Sequence, residues 1–288
     1  MALRSSELIV NRDGSIFHLT LFPEEIADDI LLVGDPGRVD LIGSFLDQVE
    51  VEKHNREFKT ITGYVGNKRL SIISSGIGTD NIDIVINELD ALKNFDLEQK
   101  VLRDNPRSLR LIRLGTSGAL QEDIPSGSYV MTVKSVGFDN LMHFYNIPTS
   151  LENREIEQKM KQQFGWPGST KYPYVFDASV GLMEKLDNPR FIKGMTISAP
   201  GFYGPQGRKL RIPLSDDQLN NKIYNFRFGN LRITNYEMES SAIYGLAGYL
   251  GHETLTVCAI IANRVRGDHI ADYRSQIEDL VALILEKL

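Results

Sequence analysis

Apolar residues fall in short runs along this chain, broken by glycine-containing turns and, between some runs, by stretches of helical periodicity. That alternation predicts an α/β domain built on a mostly β sheet. Residues 30–33 form an apolar run of strand length, and Gly34-Asp35-Pro36-Gly37-Arg38 after it predicts a tight turn opening into a helix from about Val39. Runs 58–65 and 70–74 flank Gly66-Asn67-Lys68, the pattern of a hairpin. Gly76-Ile77-Gly78 then breaks the second strand. From Asp80 to Leu92 the residues Ile82, Val85, Ile86 and Leu89 share one face of a predicted helix.

Further strands are predicted at 109–114, running into Gly115-Thr116-Ser117-Gly118-Ala119, at 128–133 behind Pro125 and Gly127, at 194–199 and at 253–262. Helices are predicted at 152–164, at 240–250 from small residues, and at 275–288, where Ile277, Leu280, Val281 and Ile284 form one face. Residues 165–173 are punctuated by turn formers. The polar, charged stretch 93–108, with Pro106 near its end, predicts a helix fragment plus a surface connection and is the best candidate for an insertion. No internal repeat, low-complexity tract or linker divides the chain, so residues 1–288 are expected to form one domain.

Composition narrows the function classes. At 42% hydrophobic and 24% charged the chain is ordinary for a globular protein, and its net charge of −6 lacks the basic footprint of a nucleic-acid binder. No apolar run approaches the ~18 residues of a membrane helix. Residues 1–11 lack a basic region followed by an apolar stretch, so the expected location is cytoplasmic. Cys258 is the only cysteine and sits in the apolar run 255–261, which predicts a buried strand thiol and not a nucleophile. His18, His54, His143, His252 and His269 show no metal-ligand spacing, so no structural zinc is expected.

Candidate chemistry lies where strand ends deliver glycine together with arginine or a hydroxyl. Glycine lets backbone N–H groups approach an anion, and arginine supplies forked donors. Gly34 with Arg38, and Arg113 with Thr116, are two such ends. Ligands of open α/β sheets bind outside the carboxyl ends of strands, so the two are expected to converge. Neither matches the phosphate loop or the dinucleotide fingerprint. Taken alone, each is the more ordinary thing, a turn carrying a surface arginine. The segment Asn235-Tyr236-Glu237-Met238-Glu239-Ser240 places two carboxylates before a helix, suited either to the helix dipole or to accepting hydrogen bonds from sugar hydroxyls. Phe202-Tyr203-Gly204-Pro205-Gln206-Gly207-Arg208 combines an aromatic face, an amide and a guanidinium; an amide donates and accepts, as the edge of a uracil ring requires. An ordinary glycine-proline surface loop is its alternative.

Together these segments resemble the nucleoside phosphorylase family, and within it the members that cleave uridine. The matching elements are Phe17-His18-Leu19, Gly34 to Arg38, Arg56-Glu57-Phe58, Gly76-Ile77-Gly78, Arg113 to Gly118, Phe202 to Arg208, Tyr236 to Ser240 and Asn263-Arg264, in the family's order. The resemblance implies a three-layer α/β/α fold around a mixed, partly barrel-like sheet. It implies that Gly34, Arg38, Arg113 and Thr116 bind phosphate, with Arg56 reaching in from a neighbouring subunit. Glu239 and Met238 would hold the ribose, His18 would come from the partner subunit to the 5′-hydroxyl, and Phe202, Gln206 and Arg208 would take the base. Glu57 and Ile77 match positions that in some members help bind a monovalent cation between subunits, whereas Asn81 stands where those members have serine.

The activity so implied is phosphorolysis of a pyrimidine nucleoside, uridine first, to the free base and ribose 1-phosphate. Inorganic phosphate is the co-substrate, and no organic cofactor is expected. Arg208, Gln206, Arg113 and Glu239 are the expected catalytic set. Purine-cleaving relatives usually present an acid after the late strand, where this chain has Ile261-Ala262, and alanine cannot donate a proton. Deoxyuridine and thymidine stay open. The alternatives are a hydrolytic nucleosidase, a purine nucleoside phosphorylase and a nucleoside-binding protein without turnover. Family members form dimers or hexamers built of dimers, so a homodimer is the expected minimum unit.

Overall fold

A computed structural model describes residues 2–171 and 173–288. Tyr172, within the turn-rich stretch 165–173, lies outside the described residues, as does Met1. The strands in chain order are β1 (Asp29–Val33), β2 (Gln48–Asn55), β3 (Phe58–Val65), β4 (Lys68–Ser74), the short pair β5 (Phe95–Asp96) and β6 (Val101–Leu102), β7 (Arg110–Ala119), β8 (Tyr129–Gly137), β9 (Tyr174–Asp177), β10 (Phe191–Ser198), β11 (Arg227–Phe228), β12 (Leu231–Glu237), β13 (Glu253–Asn263) and β14 (Asp268–His269). The helices are α1 (Pro36–Gly43), α2 (Thr79–Asn94), α3 (Leu151–Phe164), α4 (Val180–Lys185), α5 (Leu219–Tyr224), α6 (Ser240–Ala242), continued by a π-helical turn Ile243–Ala247, and α7 (Arg274–Leu285).

One mixed sheet runs β11-β12-β10-β8-β13-β7-β1-β4-β3-β2. Its centre is parallel: β4, β1, β7 and β13 align, and every residue of β1 is buried, as expected of a strand covered on both faces. A second pairing of β12 with β7, through Asn235 with Ala119 and Tyr236 with Gly118, closes β12, β10, β8, β13 and β7 on themselves. The sheet is therefore partly a barrel. Helix α1 packs on β3 and β4 and touches α7, while α2 packs on α6 and the π-helical turn. This is the expected three-layer α/β/α arrangement with a mixed, barrel-like sheet.

Several predicted boundaries shift, each for a visible reason. Asp35 caps α1 by accepting from the Arg38 N–H at 3.0 Å, with Pro36 next in line, so the helix begins ahead of Val39. The predicted strand 109–114 continues to Ala119 because β13 pairs with it along its length and β12 takes up its last residues. Ladder hydrogen bonds outweigh two glycines there. Strand β12 escapes the apolar pattern because Thr234, Asn235 and Glu237 point into buried hydrogen bonds. Strand β2 escapes it as a largely exposed edge strand.

Candidate active site

The carboxyl ends of β1, β4 and β7 lie side by side, so their loops meet. A Cβ on Gly34 would stand 2.8 Å from Arg38 Nη2 and 3.8 Å from the Gly76 carbonyl, which places the turn after β1 against the turn after β4. Gly78, at φ +98°, turns its N–H to Glu239 Oε1 at 2.8 Å. Glu239 in turn holds Arg113 Nη2. Gly34, Arg38, Arg113 and Glu239 are thus joined through the Gly76–Gly78 loop, which breaks off after β4. Thr116 lies three residues beyond Arg113, half-buried, and makes no hydrogen bond within the cluster among the described residues.

Arg113 is the hub of this cluster. Its guanidinium folds back over Gly115, where a Cβ would stand 1.9 Å from Nη1, so only glycine fits. Nη1 lies 3.4 Å from Glu237, and Nη2 is bound to Glu239. Burial alone pulls the Arg113 pKa down, but the Glu239 and Glu237 carboxylates outweigh it and hold it above the ordinary arginine value. Burial raises Glu239, Arg113 opposes that rise, and Glu237 adds to it. Glu237 was legible only as one of two acids. Its carboxylate takes the N–H groups of Glu239 and Ser240 and the hydroxyl of Ser198 on β10, and so fixes the turn carrying Met238 and Glu239. Cys258, also against Arg113, is fully buried, and burial pushes its thiol up to about 12. It is no nucleophile at neutral pH.

The loop after β10 brings Phe202, Gln206 and Arg208 together. A single 3-10 turn, Gly204–Gln206, ends at left-handed Gly207, and the Arg208 N–H returns to the Tyr203 carbonyl at 2.9 Å. Arg208 stacks its guanidinium 3.7 Å above the centre of the Phe202 ring and donates to Gln206 Oε1 at 2.6 Å. That bond leaves the amide Nε2 of buried Gln206 as a donor. Burial first, then the positive charge of Arg264, lower the pKa of Arg208 to about 10. Burial likewise lowers Arg264, which stands at the end of β13. No carboxylate offsets either shift.

Five buried side-chain nitrogen or oxygen atoms among the described residues lack a hydrogen-bond partner. Three are guanidinium nitrogens here: Arg38 Nη1, Arg113 Nε and Arg264 Nη1. A buried donor left unpaired costs about 1–3 kcal/mol, more when charged. Such donors suit an anion.

His18 and Arg56 lie elsewhere. They share a hollow of about 400 Å³ with Phe17 and Asn55, whereas Arg208 lines a different hollow of about 910 Å³. Within one chain, then, they do not join the base loop. Glu88 fixes His18, taking its Nδ1 at 2.6 Å and the N–H groups of His18 and Leu19. Arg56 is exposed at the β2–β3 turn with φ +56°, a left-handed conformation that costs a non-glycine residue energy. Glu57 lies over Gly76, and Asn81 Nδ2 donates 3.3 Å to the Ile77 carbonyl. That bond occupies one of the two lone pairs of the Ile77 carbonyl.

The family model described as the phosphorylase superfamily matches residues 28–286. Uridine phosphorylase of Thermococcus kodakarensis is 29% identical over 268 residues, covering 92% of this chain and 83% of its own. A solved nucleoside phosphorylase of Trypanosoma brucei that shows uridine phosphorylase activity superposes with a TM-score of 0.89 at 28% identity, over 98% of this chain and 99% of that one. The relatives include purine enzymes: a DeoD-type purine nucleoside phosphorylase of Colwellia psychrerythraea is 25% identical over 94% of this chain and 98% of its own. With nearly its whole length inside the family model, the chain belongs to the phosphorylase superfamily.

Proposed function

We propose that this phosphorylase cleaves pyrimidine nucleosides, uridine foremost, with inorganic phosphate as the attacking nucleophile. The observation that carries the reading is the set of buried, unpartnered arginine donors at both ends of the site. Arg38 and Arg113 suit an anionic nucleophile, and Arg264 beside Arg208 suits an anionic leaving base. In this reading a phosphate oxygen held by Arg38 and Arg113 bonds to C1′ as the C1′–N1 bond breaks. The electron pair passes into the pyrimidine, whose oxygens meet Arg208 and the Gln206 amide; solvent later protonates the base. Positive charge on the sugar faces bound phosphate and the carboxylate of Glu239, and Glu239 with Met238 cradles the ribose. No covalent enzyme intermediate is required, because the nucleophile is already positioned. Ala262, beside the site on β13, offers no proton for the N7 of a purine, which favours pyrimidines over the substrates of the purine-cleaving relatives.

Uridine incubated with the protein should give uracil and ribose 1-phosphate only when phosphate is present, with inosine and adenosine cleaved poorly. Equal uracil release without phosphate, followed by chromatography, makes the protein a hydrolase. Efficient inosine cleavage overturns the base assignment.

The separate hollow holding His18 and Arg56 supports a site completed by a second subunit in a two-fold dimer. Co-expressed His18→Ala and Arg208→Ala chains, each inactive alone, should then regain activity. Random pairing restores about a quarter of the sites, because half of the dimers are mixed and one of their two sites is intact. Mixed dimers verified by mass that stay as inactive as their parents remove His18 from the partner's site.

A further inference from the structure

The base loop is poorly held by packing. Gly204, Pro205, Gly207 and Arg208 line the hollow of about 910 Å³, so on that side no close-packed neighbour fixes them. The loop's own hydrogen bonds tie it to itself: Gln206, Gly207 and Arg208 donate back to Tyr203 and Gly204, and the Arg208 side chain to Phe202 and Gln206. Among the described residues one hydrogen bond leads from residues 202–208 to the rest of the fold. Asn220 on α5 donates from Nδ2 to the Gln206 carbonyl at 3.3 Å. Its Oδ1 accepts from the Tyr236 hydroxyl at 3.2 Å, on β12 immediately before Glu237. The fit is close, since a Cβ on Gly207 would stand 2.4 Å from Asn220 Nδ2.

We propose that Asn220 is a positioning residue for the base: through its two bonds it pins the Gln206–Arg208 loop to the strand that carries the ribose-side carboxylates. This rests on the pyrimidine reading above. Gln206 is then fixed at both ends, its backbone by Asn220 and its side chain by Arg208, with the free amide N–H facing the ring edge. The role needs a donor toward Gln206 and an acceptor toward Tyr236, and an amide supplies both. Phosphate is held by other loops, so its binding should not depend on Asn220.

Asn220→Ala is expected to lower kcat/KM for uridine about tenfold with the KM for phosphate unchanged. Asn220→Asp keeps the shape and the acceptor but sets a carboxylate against the Gln206 carbonyl; it should show a similar loss at pH 8. As pH falls through the titration of that carboxyl, the acid O–H restores a donor. The activity of this variant relative to wild type at the same pH should therefore climb toward one, a change that Asn220→Ala does not show. Where Asn220→Ala is too unstable to assay, the pH profile of Asn220→Asp carries the test. Variants within twofold of wild type at every pH, or losses shared equally with phosphate KM, overturn the role while leaving the proposed activity standing. A wild-type protein that releases no base from any nucleoside in phosphate overturns both.

Discussion

Arg113→Lys is expected to cut phosphorolytic kcat/KM by about two to three orders of magnitude, although the positive charge is kept. The native guanidinium is shared three ways. Nη2 binds Glu239, Nη1 faces Glu237 at 3.4 Å and Cys258 Sγ at 3.6 Å, and Nε is buried without a partner. A lysine ammonium is a single centre. If it pairs with Glu239, nothing remains along the Nε direction for a phosphate oxygen; if it turns to phosphate, two buried carboxylates lose their cation. Breaking one side of a buried pair typically costs about 3–5 kcal/mol, so the variant should also melt at a lower temperature. Initial rates over a phosphate titration separate the two effects. Unchanged phosphate KM and turnover would take Arg113 out of the site.

What the sequence made legible follows from how local each signal is. Strand β1 announces itself as a short, wholly buried run, and the helix through Ile82 and Leu89 and the closing helix through Ile277 and Ile284 because their burial repeats at the helical period. The turn after β1 is equally local, since Asp35, Pro36 and Gly37 together dictate a capped helix start. Barrel closure is not local. It depends on Asn235 and Tyr236 reaching Ala119 and Gly118 across more than a hundred residues, and on buried polar side chains that break the apolar pattern of β12. Shorter separations also hide a role: Glu237 needs Ser198 from another strand, 39 residues away, and Asn220 becomes informative only once Tyr236 and Gln206, 16 and 14 residues away, stand on either side of it. Arg38 and Arg113, linked through Gly34, Gly76, Gly78 and Glu239, and Arg208 and Arg264, which lie near each other, carry no spacing to recognise; what brings each pair together is the order of the sheet.

Arg208→Ala is expected to lower kcat for uridine about 10²–10³-fold while leaving the melting temperature unchanged or slightly higher. The two outcomes share one cause. In the resting protein Arg208 is partly desolvated, lies near a second cation, Arg264, and has no carboxylate beside it; burial and that neighbour bring its pKa down to about 10. It stays protonated at neutral pH, so its charge is a modest liability to the fold and its removal relieves a repulsion. Its hydrogen bonds, to the Phe202 carbonyl and to Gln206 Oε1, lie within its own loop, and losing them exposes no core. The charge acquires a partner only when the C1′–N1 bond stretches and negative charge spreads over the pyrimidine oxygens. An interaction made chiefly in that state appears in kcat more than in KM. Leaving-group chemistry gives a second measurement of the same effect. In 5-fluorouridine the electron-withdrawing fluorine already stabilises the departing base, so the loss caused by Arg208→Ala should be several-fold smaller than with uridine. Near-normal turnover in the variant makes residues 202–208 a surface loop. An equal loss with both nucleosides leaves Arg208 as a group that shapes the pocket without acting on the developing charge.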